Sequence, residues 1–267
     1  MRTKLAVGLF VAIICVIAAG AAKAITFGEP DAGRHPNVGA LITDWNPDSP
    51  GPDQFCTGTL VSETLFLTAA HCLYGETGTV WVTFDDVYDE EATEPSGLYE
   101  VVDWTLHEGF AAPGGGADAY DIAIVELESA PDVASAELPT LGLLDTYNQQ
   151  QLRQLTFTAV GYGIVRESKK GGPHGFIDRT TRMVAQQTFL SLQPTWLTLN
   201  MNPSTGSGGT CYGDSGGPHF LGGMDSNLIV SITVTGDAMC RATDRTYRLD
   251  TFTAQEFLSR FELVPEP

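Results

Sequence analysis

What most restricts the fold of this chain is its punctuation: short runs rich in β-branched and aromatic residues recur between clusters of Gly, Pro, Asp and Asn. GALIT, TGTLV, TLFLTAA, VWVTF, YEVVDWTLH and DIAIVEL precede the stretch from Glu128 to Gly142, and LTFTAVGYG, TWLTLNM, NLIVSITVTG and TYRLDTF follow it. Such side chains pack well on a pleated, half-buried surface. Only Thr253 to Phe261 carries a clear helical signature, with Thr253 as cap, Glu256 three residues later, and Phe257, Leu258 and Phe261 on one face. The expectation is an all-β chain with a C-terminal helix over 253–261. Two prolines and small residues make 128–142 a linker that divides the strands into comparable sets, which two antiparallel barrels would fit.

Residues 1–24 have a basic start (Arg2, Lys4), an apolar stretch and small residues ending in Ala22-Lys23-Ala24. This is the pattern of a signal peptide cleaved after Ala24; the competing reading is an uncleaved membrane anchor. A secreted or periplasmic protein with no membrane association after processing is expected. Cys15 lies in the leader, and the even remainder, Cys56, Cys72, Cys211 and Cys240, favours two disulfides over a metal site, since no CxxC pair occurs. The formal net charge of −19 excludes a nucleic-acid backbone as partner and serves solubility, with attraction of cationic substrates as a second use. The acidic run Asp85 to Glu91 matches no EF-hand spacing and reads as a solvated loop.

Three polar residues interrupt the apolar pattern. In LTAAHC, His71 ends an apolar run beside Cys72, Asp121 opens DIAIVEL, and Ser215 lies in GGTCYGDSGGPHF. Together they supply a hydroxyl nucleophile, an imidazole to take its proton and a carboxylate to fix the imidazole tautomer, which are the parts of acyl transfer. Their order discriminates between folds. Gly213 to Gly217 also satisfies the G-x-S-x-G elbow of α/β-hydrolases, but that fold needs its acid and histidine after the serine, and only His219 follows, four residues on. The subtilisin order needs an Asp before His71, and Asp31, Asp44, Asp48 and Asp53 all sit in Pro/Gly-rich loop sequence. The order His71, Asp121, Ser215 remains.

In that order and spacing, LTAAHC, DIAIVEL and GDSGGP make the chain resemble the trypsin/chymotrypsin-like serine peptidases, and AVGYG, Ala159 to Gly163, resembles the opening of that family's second barrel. The resemblance implies two six-stranded antiparallel barrels in a domain over 25–267, with barrel 1 about 25–135 and barrel 2 about 136–252. It implies a secreted serine endopeptidase, with His71 as general base then acid, Asp121 orienting it, and the backbone N–H groups of Gly213 and Ser215 as oxyanion hole. Disulfides Cys56–Cys72 and Cys211–Cys240 are implied too, as is the absence of metal or organic cofactor. Protein or peptide substrates and a monomer are expected. Cleavage after Ala24 would free the amine of Ile25, and the family precedent pairs such an amine with Asp214, which answers why a carboxylate adjoins the nucleophile. The competing function is a catalytically silent binding homologue of the same fold.

The specificity pocket departs from the Arg/Lys-selective pattern. Gly209 falls at the pocket base where those members carry Asp, and Gly236 falls where a glycine leaves the mouth open, so an apolar side chain is expected. Asp237, Arg241 or Arg245 would alter that if one projected inward. Val234 and Thr235 stand where the family usually has Ser and Trp, which removes a hydroxyl partner from the catalytic Asp and one apolar wall. His35, His107, His174 and His219 receive no catalytic part, and Gly114 to Gly116 reads as a flexible loop.

Overall fold

The computed structural model describes residues 25–43, 53–88, 97–111, 120–166, 176–177 and 180–267. The expected leader, Asp44, Asp48, the acidic residues 89–91, the glycine run 114–116 and His174 lie outside the described residues. Among the described residues no helix is long and apolar enough to cross a membrane.

The first barrel closes from β2 (Val38–Thr43), β3 (Asp53–Leu60), β4 (Leu65–Thr68), β5 (Val80–Thr83), β6 (Leu98–Leu106) and β7 (Ala123–Leu127), in the order β2-β3-β4-β7-β6-β5. A short helix α1 (Ala70–Leu73) follows β4, and β1 (Glu29–Pro30) precedes the barrel. The second barrel follows a short helix α2 (Gln149–Leu152). It contains β8 (Thr156–Gly161), β11 (Met183–Leu192), β12 (Trp196–Asn200), β13 (Pro218–Leu221), β14 (Ile229–Gly236) and β15 (Thr243–Arg248). The β8–β11 pairing closes it, all ladders are antiparallel, and β1 adds to β11 at the edge. Between β8 and β11 lies the hairpin β9 (Val165–Arg166) and β10 (Phe176–Ile177).

Apolar residues of the two barrels meet in one shared cluster, separate from the cluster that Leu41, Phe66, Val82 and Val125 form within the first barrel. Val38, Ala40 and Leu67 of the first pack in the same cluster as Val160, Phe220, Ile232 and Tyr247 of the second. Arg182 bridges them in polar fashion. Its guanidinium, 1 % exposed, reaches the carboxylates of Asp31 and Asp86, the carbonyls of Val38 and Phe84, and the Tyr162 hydroxyl. Burying a guanidinium is tolerated because nearly every donor it carries is satisfied.

The C-terminal helix α3 runs Phe252–Ser259, one residue earlier than expected, and Thr251 rather than Thr253 caps it. Thr251 holds extended backbone and its hydroxyl accepts the Ala254 N–H at 3.2 Å, so the Thr253–Glu256 pairing is not the one used. Phe257 and Leu258 are buried as the helical pattern required, and Phe261 packs beside them.

Candidate active site

β4 ends at Thr68, so His71 sits not at a strand end but on the single turn of α1, which the Cys56–Cys72 disulfide ties to β3. Asp121 lies two residues before β7, the strand hydrogen-bonded to β4, so ladder register brings it to His71. Two bonds join them: the His71 backbone N–H donates to Asp121 Oδ1 at 2.9 Å, and His71 Nδ1 lies 2.8 Å from Oδ2. A carboxylate held this way accepts from Nδ1–H and leaves Nε2 as the basic nitrogen. Asp121 is 3 % exposed. Val234 brings no hydroxyl, and among the described residues His71 is the hydrogen-bond partner of Asp121.

The loop carrying Ser215 comes from the other barrel and docks on the end of β4. The Thr57 N–H donates to the Ser215 carbonyl at 2.9 Å. Gly216, at φ 79°, lies so close to Thr68 and Ala69 that a Cβ there would collide with both. The hydroxyl-bearing residue is thereby delivered to the strand end that leads into His71.

Backbone hydrogen bonding around Ser215 is selective. The amides of Asp214, Gly216 and Gly217 donate to Cys211, Thr233 and Asp214 carbonyls, whereas those of Gly213 and Ser215 have no acceptor among the described residues. Ile164 N–H donates to the Tyr212 carbonyl at 2.8 Å, and because the peptide plane is trans, the Gly213 N–H points the opposite way. The Gly213 carbonyl is gripped from the first barrel by Gln54 Nε2 at 2.8 Å and Thr57 Oγ1 at 2.9 Å. Gly213 has φ 93°, a left-handed conformation that suits glycine. Two undonated amides beside a serine hydroxyl form a place for a developing oxyanion.

Asp214 is fully buried, and its two oxygens accept the N–H groups of Gly163 and Cys211, each at 2.8 Å. Burial pushes its carboxyl up to about 7; the two amides pull against that, and the charge of Asp244 adds to it. Ile25 is fully buried with Ala159, Met183 and Ala185, and the next residue, Thr26, pairs with Gly209. The segment therefore lies inside the second barrel, whose β8 end, Gly161, is in contact with Asp214.

Beside Ser215 opens a cavity of about 290 Å³ lined by Thr210, Cys211, Tyr212, Thr233, Val234 and Gly236, among others. The Cys211–Cys240 disulfide joins its two walls. Gly236 lines it as expected, but Gly209 does not: the Gln187 amide and Met201 cover the Gly209 Cα. Asp237 lines the cavity too, with its carboxylate accepting the Arg241, Ala242 and Thr243 amides of its own loop. Burial opposes its ionisation, but the amides of Thr243, Ala242, Arg241 and Met239 outweigh that and hold its carboxyl below the usual range. Arg245 stacks over Trp196, 4.1 Å from the ring centroid, rather than entering the cavity. Of the histidines set aside earlier, His35 stacks on Phe220 and bonds Asp31, and His107 packs on Tyr120 and Phe257. Cys56, His71 and Cys72 come close together, but the sulfurs are bonded to each other and offer no thiolate to a metal.

Gln54, Thr57, Gln187 and Asp244 escape a reading of the sequence. None sits in a chemical motif, and each acts on residues remote in the chain.

Comparison with known proteins agrees with this geometry. The family model described as Trypsin matches residues 30–253. Brachyurin from Leptuca pugilator is 30% identical over 173 residues, covering 64% of this chain and 72% of that protein. Serine protease SSP1 from Scolopendra subspinipes is 26% identical over 193 residues, 70% of this chain and 64% of its own length. A solved structure titled HL collagenase superposes with a TM-score of 0.61 at 16% identity, covering 91% of this chain and 99% of that one, which speaks to the fold.

Proposed function

Because the chain belongs to the trypsin family of serine proteases, we propose that it is a secreted or periplasmic serine endopeptidase working through an acyl-enzyme. His71 Nε2 takes the proton of Ser215 as Oγ attacks the scissile carbonyl carbon. The former carbonyl oxygen becomes an oxyanion received by the Gly213 and Ser215 amides. Collapse breaks the C–N bond, and His71 hands its proton to the leaving amine. Water then repeats the sequence on the ester: His71 deprotonates it, the oxyanion forms again, and Ser215 leaves with the proton restored. Asp121 stays a carboxylate throughout and stabilises the imidazolium. The observation that carries this reading is the doubly bonded His71–Asp121 pair beside two backbone amides that no protein acceptor uses.

The processed chain begins at Ile25 and its ammonium pairs with Asp214. The buried Ile25 side chain and the buried carboxylate without a cationic partner among the described residues support this. Substrates are proteins or peptides, and the enzyme acts as a monomer without metal or organic cofactor. A fluorophosphonate probe tests the chemistry. The purified processed protein should be labelled at Ser215 and lose that label in Ser215→Ala, while Asp121→Asn should slow peptide hydrolysis by roughly 10⁴-fold, as in comparable triads. Absence of labelling in the correctly processed protein would instead favour a silent binding homologue.

A further inference from the structure

The cavity beside Ser215 is not the largest opening among the described residues. A second, of about 610 Å³, lies at the other end of β15. Asp244 pairs with Gly236, which lines the first cavity, whereas Arg248, at the end of the strand, lines the second, roughly 13 Å of strand away. The two cavities share no lining residue, and no group of the proposed mechanism borders the second.

Three stretches distant in sequence build its walls: the connection between the barrels with α2, the turn between β11 and β12, and the junction of β15 with α3. A buried ion pair ties them together. Arg248, 2 % exposed, donates from Nε and Nη2 to the fully buried Asp250 at 2.9 and 3.0 Å, and from Nη1 to the carbonyls of Gln193 and Pro194. Asp250 in turn accepts the Leu144 N–H through Oδ2 at 2.7 Å, and its carbonyl accepts the Gly142 N–H at 2.7 Å. A cavity framed by such a tie is formed before any guest arrives.

Its rim is apolar where packing does not require it. Of the seven large hydrophobic side chains exposed among the described residues, Tyr212 borders the first cavity, and Leu141 and Phe252 border the second. Phe252 opens α3 but stands apart from the face that buries Ala254, Phe257 and Leu258. Exposed apolar surface gathered at a concavity marks a docking site. The charge of the walls identifies the guest. Two carboxylates, Asp145 and Asp250, face one guanidinium, which leaves one negative charge. Asp250 is consumed by Arg248, so that charge sits on Asp145, whose Oδ2 meets Arg248 at 2.9 Å while the side chain stays 64 % exposed. An anionic guest is repelled here, and so is a second copy of a chain whose formal net charge is −19.

We propose that this cavity is a second recognition site, docking a protein partner through an aromatic or aliphatic side chain flanked by lysine or arginine. The apolar side chain fills the space beside Leu141 and Phe252, and the cation pairs with Asp145. Docking there breaks no bond, so the proposal stands apart from the endopeptidase reading.

The probe is the acetylated, amidated tripeptide Lys-Phe-Lys, titrated into the nitrogen-15-labelled, processed protein carrying Ser215→Ala; Glu-Phe-Glu and Lys-Gly-Lys are the controls. Saturable shifts of the Gly142, Asp145 and Phe252 amides are expected, at an affinity at least tenfold above that for either control. Asp145→Asn and Phe252→Ser alter exposed side chains and leave the Arg248–Asp250 pair intact, so both variants should fold, and each should weaken binding at least fivefold. Shifts confined to Gly213 and Gly236 would assign the peptide to the first cavity and overturn the proposal. So would equal affinity for either control, the absence of a saturable shift, or binding that survives both substitutions. Sedimentation of the peptide-free protein adds a check: a dimer that Phe252→Ser dissociates would give this face to a second copy and would equally overturn it.

Discussion

At the scale of single residues, the site depends on how the two peptide planes flanking the Gly213 Cα are held. In the proposed mechanism Gly213 presents its amide to the substrate, and the next peptide, through the Gly213 carbonyl, is fixed from the opposite barrel by Gln54 and Thr57. Replacing Gln54 with Leu removes a donor from a carbonyl that keeps one partner, so the loop should remain folded but less firmly aimed. A fall in kcat of roughly tenfold with little change in KM is expected, since a bond that positions an oxyanion donor acts mainly in the transition state. Steady-state kinetics on a peptide ester would check it, and a rise in KM alone would contradict it. The proposed trio of His71, Asp121 and Ser215 stood out in the sequence because each member is an anomalous polar residue at the edge of an apolar run. Gln54 did not, because its significance lies in a contact 159 positions away. Asp244 was invisible for a related reason: in CRATDRTYRLD it is one of several charged residues, and only the closed barrel distinguishes it from Arg245 on the other face.

At the scale of elements, the sequence located strands wherever alternation stayed apolar. It missed β11, the longest strand of the second barrel, because Gln187 takes an inward position to reach Asp244 and breaks the pattern of Val184, Ala185 and Phe189. β13 was hidden in the same way by the buried His219. The helix was found but its cap misplaced, since Thr251 and Thr253 are equally good cap residues and the tertiary path of the chain chose between them. The Cys56–Cys72 link spans 16 positions and holds α1, the element bearing His71, to β3. By loop-closure reasoning it contributes about 3 kcal/mol. Replacing both cysteines with Ala should lower Tm by roughly 6–12 °C in a domain of this size. Thermal unfolding of the processed protein measures this, and an unchanged Tm would show that α1 is held by packing alone.

At the scale of the whole molecule, the proposed mechanism draws on both barrels: His71 and Asp121 come from the first, and Ser215, the two undonated amides and the cavity from the second. Arg182 and the shared apolar core hold them in register. What readies the assembled site, in this account, is the pairing of the Ile25 ammonium with Asp214. In a chain that keeps its leader, the Asp214 carboxyl is raised to about 7, far above the 3.8 of an unperturbed group. A raised acid gives stability that is complete below its unfolded value and is lost as pH climbs through the folded one, so the leader-bearing form should lose stability between about pH 4 and 7 relative to the processed form. The processed form behaves oppositely on the alkaline side. A free α-amine titrates near pH 8, pairing raises that value, and activity should fade only as pH passes the raised value. The most direct test compares the rate of fluorophosphonate labelling of Ser215 in two proteins, one beginning at Ile25 and one retaining Ala24 as a single extra residue. The account predicts labelling at least a hundredfold faster for the chain that begins at Ile25; equal rates in the two would contradict it.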